Sequence, residues 1–303
     1  MARHDVFNFA DASNPNLLIN TNPSNVINQR GIANDDSITT GDYGPDRWYV
    51  THDATSVTWR LVSNSGFGVN IITAGAGTEV SLAQKVEAYS VLIGEAVTFS
   101  AEVKADAACF LRISDGIGSS SSSNHTGGDT PETLYVTHTV NAGATYLACE
   151  LVMTSGLADS KDMEIRKAKL ELGENYTAWT VPDPAEELAR CQRYGIELTT
   201  SDAYSRPGSG LVSSATTAEI LCALPVNLRT TPTLTTSGSF VVRKPGIASY
   251  TVTGITMPAA AYTSNSYISI AIAVSGGGMT APDTVFLESN NDISTSIFLD
   301  AEI

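Results

Sequence analysis

The chain has 303 residues, 42% of them hydrophobic and only 16% charged, with 32 Asp and Glu against 17 Lys and Arg and a formal charge of −15. That length holds one large or two ordinary domains, and the apolar content excludes a chain that is mainly disordered. The acidic balance repels a phosphate backbone, so no nucleic-acid partner is expected.

The opening Met1-Ala-Arg-His-Asp-Val has no charged segment leading into an apolar run, so no secretory leader is expected. No stretch reaches the roughly 18 apolar residues of a spanning helix, so membrane insertion is not expected either. Cys109, Cys149, Cys191 and Cys222 are widely spaced and form no Cys-x-x-Cys knuckle. Reduced, buried thiols follow.

In chain order, Asn- and Pro-rich turns run to about residue 46. Short β-type segments follow at Val57–Val62, Val69–Thr73, Val97–Lys104, Cys109–Ser114, Leu134–Val140, Tyr146–Met153 and Met163–Leu172. The clearest is Val97–Lys104, where Val97, Phe99, Ala101 and Val103 alternate with Thr98, Ser100, Glu102 and Lys104, the pattern of a half-buried strand. Seven or eight such strands predict a sandwich. The Ser-rich stretch 116–128 is poor in apolar residues and reads as a mobile tip or rim.

One helix is predicted, Ala185–Tyr194, after Pro182-Asp183-Pro184 and before Gly195, with acids in its first turn. Seven more strands follow at Glu219–Leu224, Thr233–Thr236, Phe240–Arg243, Tyr250–Thr256, Tyr267–Val274, Val285–Glu288 and Ser296–Ala301. No repeat of 20 to 50 residues marks a solenoid or propeller, and no heptad run marks a coiled coil. The fold class is therefore all-β, in two domains hinged at the helix.

Several segments carry a resemblance. Asn16-Leu-Leu-Ile-Asn20, Val26-Ile-Asn-Gln-Arg-Gly31 and Tyr43-Gly-Pro-Asp-Arg-Trp48 come first, then Leu82-Ala-Gln-Lys-Val-Glu87. Glu171-Leu-Gly-Glu174 with Thr177-Ala-Trp179, and Glu186-Glu-Leu-Ala-Arg-Cys-Gln-Arg-Tyr194, are the most specific, and Leu224–Thr233 and Leu299-Asp-Ala-Glu302 continue the likeness. Together they resemble the two-domain proteins of tailed-bacteriophage tail fibres, receptor-binding proteins described as carrying a carbohydrate-binding-module-like jelly roll.

The resemblance implies an N-terminal jelly-roll β-sandwich, a short linking helix and a C-terminal β-sandwich. The expected divisions are an attachment arm at 1–15, the jelly roll at 16–182, the helix at 183–195 and a trimerisation or tip domain at 196–303. The family's commoner pattern has a longer anchoring region before the first motif, where this chain has about fifteen residues. The resemblance further implies a virion component, made in the bacterial cytoplasm, assembled as a homotrimer with other tail or baseplate proteins, and adhering to host surface glycans through multivalent weak sites. The competing reading is a structural virion protein, a head or tail decoration or fibre connector without host contact; a polysaccharide depolymerase is the third.

Glycan contact needs aromatic faces for the ring and amide or carboxylate groups for its hydroxyls. By residue type alone, Tyr49, Trp59, Tyr89 and Tyr135 are the candidates. Trp48 beside Arg47 and Asp46 reads as a structural anchor with a bonded indole N–H, and Trp179, Cys191, Gln192, Arg193 and Tyr194 read as packing residues of the motif. No cofactor is expected. Calcium is weighed only as a structural ion, because Asn34-Asp35-Asp36, Asp115 and Asn290-Asn291-Asp292 offer hard oxygens without EF-hand spacing. The four histidines, His4, His52, His125 and His138, are flanked by no nucleophile motif, and no carboxylate pair is nominated for glycoside cleavage. The expectation is a binder and not an enzyme.

Overall fold

The computed structural model describes residues 14–63, 65–154, 157–200, 202–257 and 267–302; His4 and all but the last two residues of the expected 1–15 arm lie outside them. The chain divides into two compact units, Met1–Glu187 and Leu188–Ile303. Among the described residues no helix is long and apolar enough to cross a membrane.

The first unit carries β1 (Tyr49–His52), β2 (Ser56–Val62), β3 (Gly66–Thr73), β4 (Val80–Lys85), β5 (Ala96–Ala105), β6 (Phe110–Ser114), β7 (Ser119–Ser121), β8 (Glu132–Thr139), β9 (Ala148–Met153) and β10 (Lys161–Leu172). They form two five-stranded sheets, β1-β4-β9-β6-β7 and β2-β3-β10-β5-β8. From β3 onward this is jelly-roll order: strands pass from sheet to sheet except at the β6–β7 hairpin, and β10 returns between β3 and β5. The alternation read from β5 places Val97, Phe99, Ala101 and Val103 in the core between the sheets, with Leu82, Leu111, Leu151, Met163 and Leu170 among their neighbours. Gly68 lets β3 lie close to β10, since a Cβ there would run into the Met163 carbonyl.

In the second unit the helix α1 (Pro184–Gln192) enters from the first. Asp183 caps it, its Oδ1 accepting from the N–H groups of Ala185 at 2.9 Å and Glu186 at 3.0 Å. Nine strands follow: β11 (Gly195–Glu197), β12 (Gly208–Ser214), β13 (Thr217–Ala223), β14 (Thr233–Ser237), β15 (Phe240–Lys244), β16 (Ala248–Thr256), β17 (Tyr267–Val274), β18 (Thr284–Ser289) and β19 (Ser296–Asp300). Strands β12-β13-β17-β16-β15-β18 close into a barrel around Ile220, Val242, Ile270, Val285 and Leu287, and β11-β19-β14 form a separate three-stranded sheet. The all-β class and sandwich-like layering match the expectation. Closure of the second unit is a further property, set by which edges pair rather than by any one strand's pattern.

The Ser-rich stretch departs from its reading as a mobile rim. Ser119–Ser121 is strand β7, and Ser122 N–H bonds the Leu111 carbonyl at 2.9 Å. His125 is buried, donating its backbone N–H to the Cys109 carbonyl at 2.7 Å and placing Nε2 3.0 Å from the Thr130 carbonyl. Backbone pairing and one interior imidazole supply the order that apolar side chains do not.

Candidate functional site

The outer face of sheet β1-β4-β9-β6-β7 combines aromatic rings with charge. Strand alternation sends Val50, Leu82, Leu111, Cys149 and Leu151 inward and leaves Tyr49, Ser81, Ala83, Phe110, Arg112, Glu150 and Val152 outward. The central strands β4 and β9 contribute short side chains here, and Ser81, Ala83, Ala148 and Val152 are all buried. The exposed layer is therefore built by the longer groups beside them. Tyr49 and Tyr43 lie with ring centroids 5.4 Å apart, Arg30 sits 5.2 Å over Tyr43, and Lys85 Nζ sits 5.6 Å over Tyr49. Across the face, Arg112 makes a forked ion pair with Glu79, at 2.7 and 3.2 Å, and donates from Nε to Glu150. Tyr146 completes the rim through a 3.1 Å bond to the Ser114 hydroxyl.

Burial raises the Tyr49 phenol above its ordinary range, and the charge of Glu150 adds to that, so the hydroxyl stays protonated as a neutral donor and acceptor. Burial also raises the Glu150 carboxyl against the pull of Arg112. Burial works against the Arg112 charge, but the hydrogen bonds to Glu79 and Glu150 outweigh it and hold the guanidinium charged. Chemically the face offers half-buried aromatic rings, a fixed cation, carboxylate oxygens and hydroxyls, the set that recognises a sugar ring and its hydroxyls. Ser81 Oγ, buried beneath, has no hydrogen-bond partner among the described residues.

The four candidates chosen by residue type separate. Tyr49 is on this face. Tyr135 projects from the other sheet, 53% exposed, and stacks with Tyr176, 46% exposed, at 4.7 Å and 35°. Tyr89 stands half-buried on a 3₁₀ turn, packed against the core. Trp59 is a correction: at 1% exposure it is core, inward on β2 and closed over by Gly44, so no sugar can reach its ring. The partners Tyr43, Arg112, Tyr146, Glu150 and Tyr176 were not singled out by sequence. Tyr146-to-Met153 and Cys109-to-Ser114 were read as strands, and their alternation carried the signal for Arg112 and Glu150.

The motif residues have structural work. Trp48 is fully buried and donates its indole N–H to the Asn20 carbonyl at 3.1 Å. Asp46 accepts from Gln29 N–H at 2.9 Å, and Arg47 donates to the Lys85 carbonyl at 2.7 Å. Thr177 bonds Glu171 through its N–H and hydroxyl, both at 2.7 Å, beside a buried Lys169, while Trp179 Nε1 reaches the Thr21 hydroxyl at 3.3 Å. In the second unit Cys191 and Tyr194 are buried, Gln192 and Arg193 half-buried; the Arg193 and Tyr194 carbonyls accept from Arg229 at 2.8 Å and Ala301 at 2.7 Å, fixing the end of the last strand.

The oxygens weighed for calcium already accept protein hydrogen bonds. Asp115 takes N–H groups of Ile117, Gly118 and Asn141 and the Asn141 amide, and Asp292 takes those of Ser239 and Ser294. Among the described residues no cluster of three or more His, Cys, Asp or Glu is placed to hold a metal. Asp115 also meets His138, whose other nitrogen meets Ser120. No nucleophile motif flanks that histidine in the sequence; its two partners come from the β6–β7 hairpin, more than fifteen residues away in the chain.

No protein-family description matches the chain, and no curated protein does. Among solved structures, it is similar to the enzymatically active domain of tailspike protein 4 of bacteriophage CBA120, at 18% identity and TM-score 0.33 over 46% of this chain, spanning about a fifth (21%) of that one. It is similar to the module TmCBM61, solved with β-1,4-galactotriose, at 14% identity and TM-score 0.31, covering 44% of this chain and 92% of that one. It is also similar to the tandem CBM22 domains of Paenibacillus barcinonensis Xyn10C, at 11% identity and TM-score 0.31, covering 96% and 99%. Likenesses at this distance carry no argument, and the jelly-roll assignment rests on the strand order itself.

Proposed function

We propose that the chain is a carbohydrate-binding component of a phage tail fibre, adhering to host surface glycans through the outer face of sheet β1-β4-β9-β6-β7. The observation that carries this reading is the Tyr43–Tyr49 pair set opposite the Glu79–Arg112–Glu150 ion pairs over buried small residues. The rings stack on the apolar face of a sugar, and the fixed polar groups take its hydroxyls without first losing side-chain freedom. One shallow face of this kind binds weakly; the homotrimer implied by the family motifs would multiply it by effective concentration. No catalysis is assigned to this face.

A second reading, a structural virion protein, is favoured by the barrel. Leu211, Leu221 and Tyr267 are exposed on its outer surface, beside a groove of about 450 Å³ lined by Thr217, Gly254, Ala271 and Ala273. Binding of the labelled, full chain to a panel of bacterial cells separates the two. Saturable binding abolished by mild periodate oxidation of surface glycans is the expected result; absence of binding at concentrations well above micromolar favours the structural role.

A further inference from the structure

Away from the aromatic face, at an open side of the sandwich, the edge strands β7 and β8 of the two sheets approach one another. There Ser120 Oγ lies 2.9 Å from His138 Nδ1, and His138 Nε2 lies 3.0 Å from Asp115 Oδ2. Asp115 is fully buried and receives the N–H groups of Ile117 at 2.9 Å, Gly118 at 2.8 Å and Asn141 at 2.8 Å, and the Asn141 amide at 2.8 Å. Burial opposes its charge, but these bonds and the one from His138 outweigh burial and hold the carboxyl below its usual range. An ionised acceptor facing Nε2 keeps the ring proton there, which leaves the Nδ1 lone pair to accept from the Ser120 hydroxyl. Nucleophile, base and orienting carboxylate thus stand in one hydrogen-bonded line, with the ring nitrogens used in the reverse of the common serine-hydrolase sense.

We propose that Ser120, His138 and Asp115 form an acyl-transfer site for short carboxylic esters. Ser120 Oγ bonds to the ester carbonyl carbon as its proton passes to His138 Nδ1; the alkoxide leaves and takes that proton from His138. Water then attacks the acyl-serine, gives a proton to His138 and releases the acid, and Ser120 recovers its proton. Asp115 touches no reacting atom and is a positioning residue. Ser122 N–H bonds the Leu111 carbonyl and Asp115 N–H the Gly118 carbonyl, so ladder alternation turns the N–H of Ser121 toward the unpaired edge of β7, where it serves the developing oxyanion. Ser120 pairs with core-facing Ile113, so its side chain turns inward and is half-buried beside His138, itself only 7% exposed, which leaves room for a small acyl group and sets the class at acetyl and similar esters.

The test uses the full chain with p-nitrophenyl acetate over many turnovers, and a fluorophosphonate label located by peptide mass. The expected result is turnover that falls at least about a hundredfold in Ser120→Ala, unchanged thermal unfolding of that variant, and an adduct on the peptide containing Ser120. Equal rates in wild type and Ser120→Ala, or a label found elsewhere or nowhere, would overturn the proposal. Because labelling needs only the wild-type chain, it decides the matter even if the variant does not fold.

Discussion

The indole N–H of Trp48 donates to the Asn20 carbonyl at 3.1 Å, and the side chain of Asn20 in turn holds the segment that leads to Trp48. Asn20 Nδ2 donates to the carbonyls of Ile27 at 2.7 Å and Asp46 at 3.0 Å, while its Oδ1 accepts from Ile27 N–H at 2.8 Å. The Asn…Asp-Arg-Trp motif is therefore one buried knot that closes the end of the sandwich before β1, whose first residue is the Tyr49 of the proposed glycan face.

Asn20→Ala removes three buried hydrogen bonds and takes their side-chain partner from the Ile27 N–H and the Asp46 carbonyl, while the Ile27 carbonyl keeps the Asp46 N–H at 3.0 Å. It also places Ala at φ 57, a left-handed conformation that Asn tolerates better. We predict a loss of about 3 kcal/mol or more, seen as a lower urea midpoint. A change under about 0.5 kcal/mol would show that the knot is not cooperative.

Gly44 lies against the Trp59 ring, and a Cβ there would run into it. Gly44→Ala should destabilise by about 1 to 3 kcal/mol through overpacking and alter near-ultraviolet circular dichroism from Trp59. An unperturbed spectrum with wild-type stability would contradict the assignment of Trp59 to the core.

Asp115 gives a pH signature. Its folded carboxyl is held below the ordinary range, so its contribution is fully present above the unfolded value, near 4, and is lost as pH falls toward the folded one. Asp115→Asn should be less stable than wild type at pH 7, with the gap narrowing by pH 3. Parallel stability curves for the two proteins across that range would contradict this.

All four cysteines are buried. Burial pushes the thiols of Cys109 and Cys222 up to about 12, and that of Cys149 well above its ordinary value, so these three are not ready nucleophiles. Thermal unfolding with and without a reducing agent should coincide. A large drop on reduction would mean a bridge forms after all.

Strand content was legible because period-two alternation is local: Val97–Lys104 shows both faces of β5 in eight letters. Strands β1, β4, β7, β11 and β12 are not legible locally, being short or rich in Ser, Gly and polar groups, and β1, β4 and β11 are held by partners distant in sequence. The candidate face was half legible for the same reason. Tyr49 could be chosen by type, but its partner Tyr43 lies outside any strand in an isolated bridge to Tyr49, and Arg112 and Glu150 meet only because β6 pairs with β9. Trp59 shows the opposite error: an aromatic in an alternating strand points either way, and only its cross-strand neighbours decide which. The Ser120–His138–Asp115 line could not be seen locally at all, since two sheet edges must close before it exists.

The most direct test of the account is glycan-dependent cell binding by the wild-type chain and its Tyr49→Ala and Tyr135→Ala variants, each first shown to be folded. The account predicts that Tyr49→Ala weakens binding by at least about tenfold, the worth of one lost stacking contact, while Tyr135→Ala, on the opposite sheet, changes it far less. Binding that survives Tyr49→Ala but is lost in Tyr135→Ala would move the site to the Tyr135–Tyr176 pair and contradict the central claim.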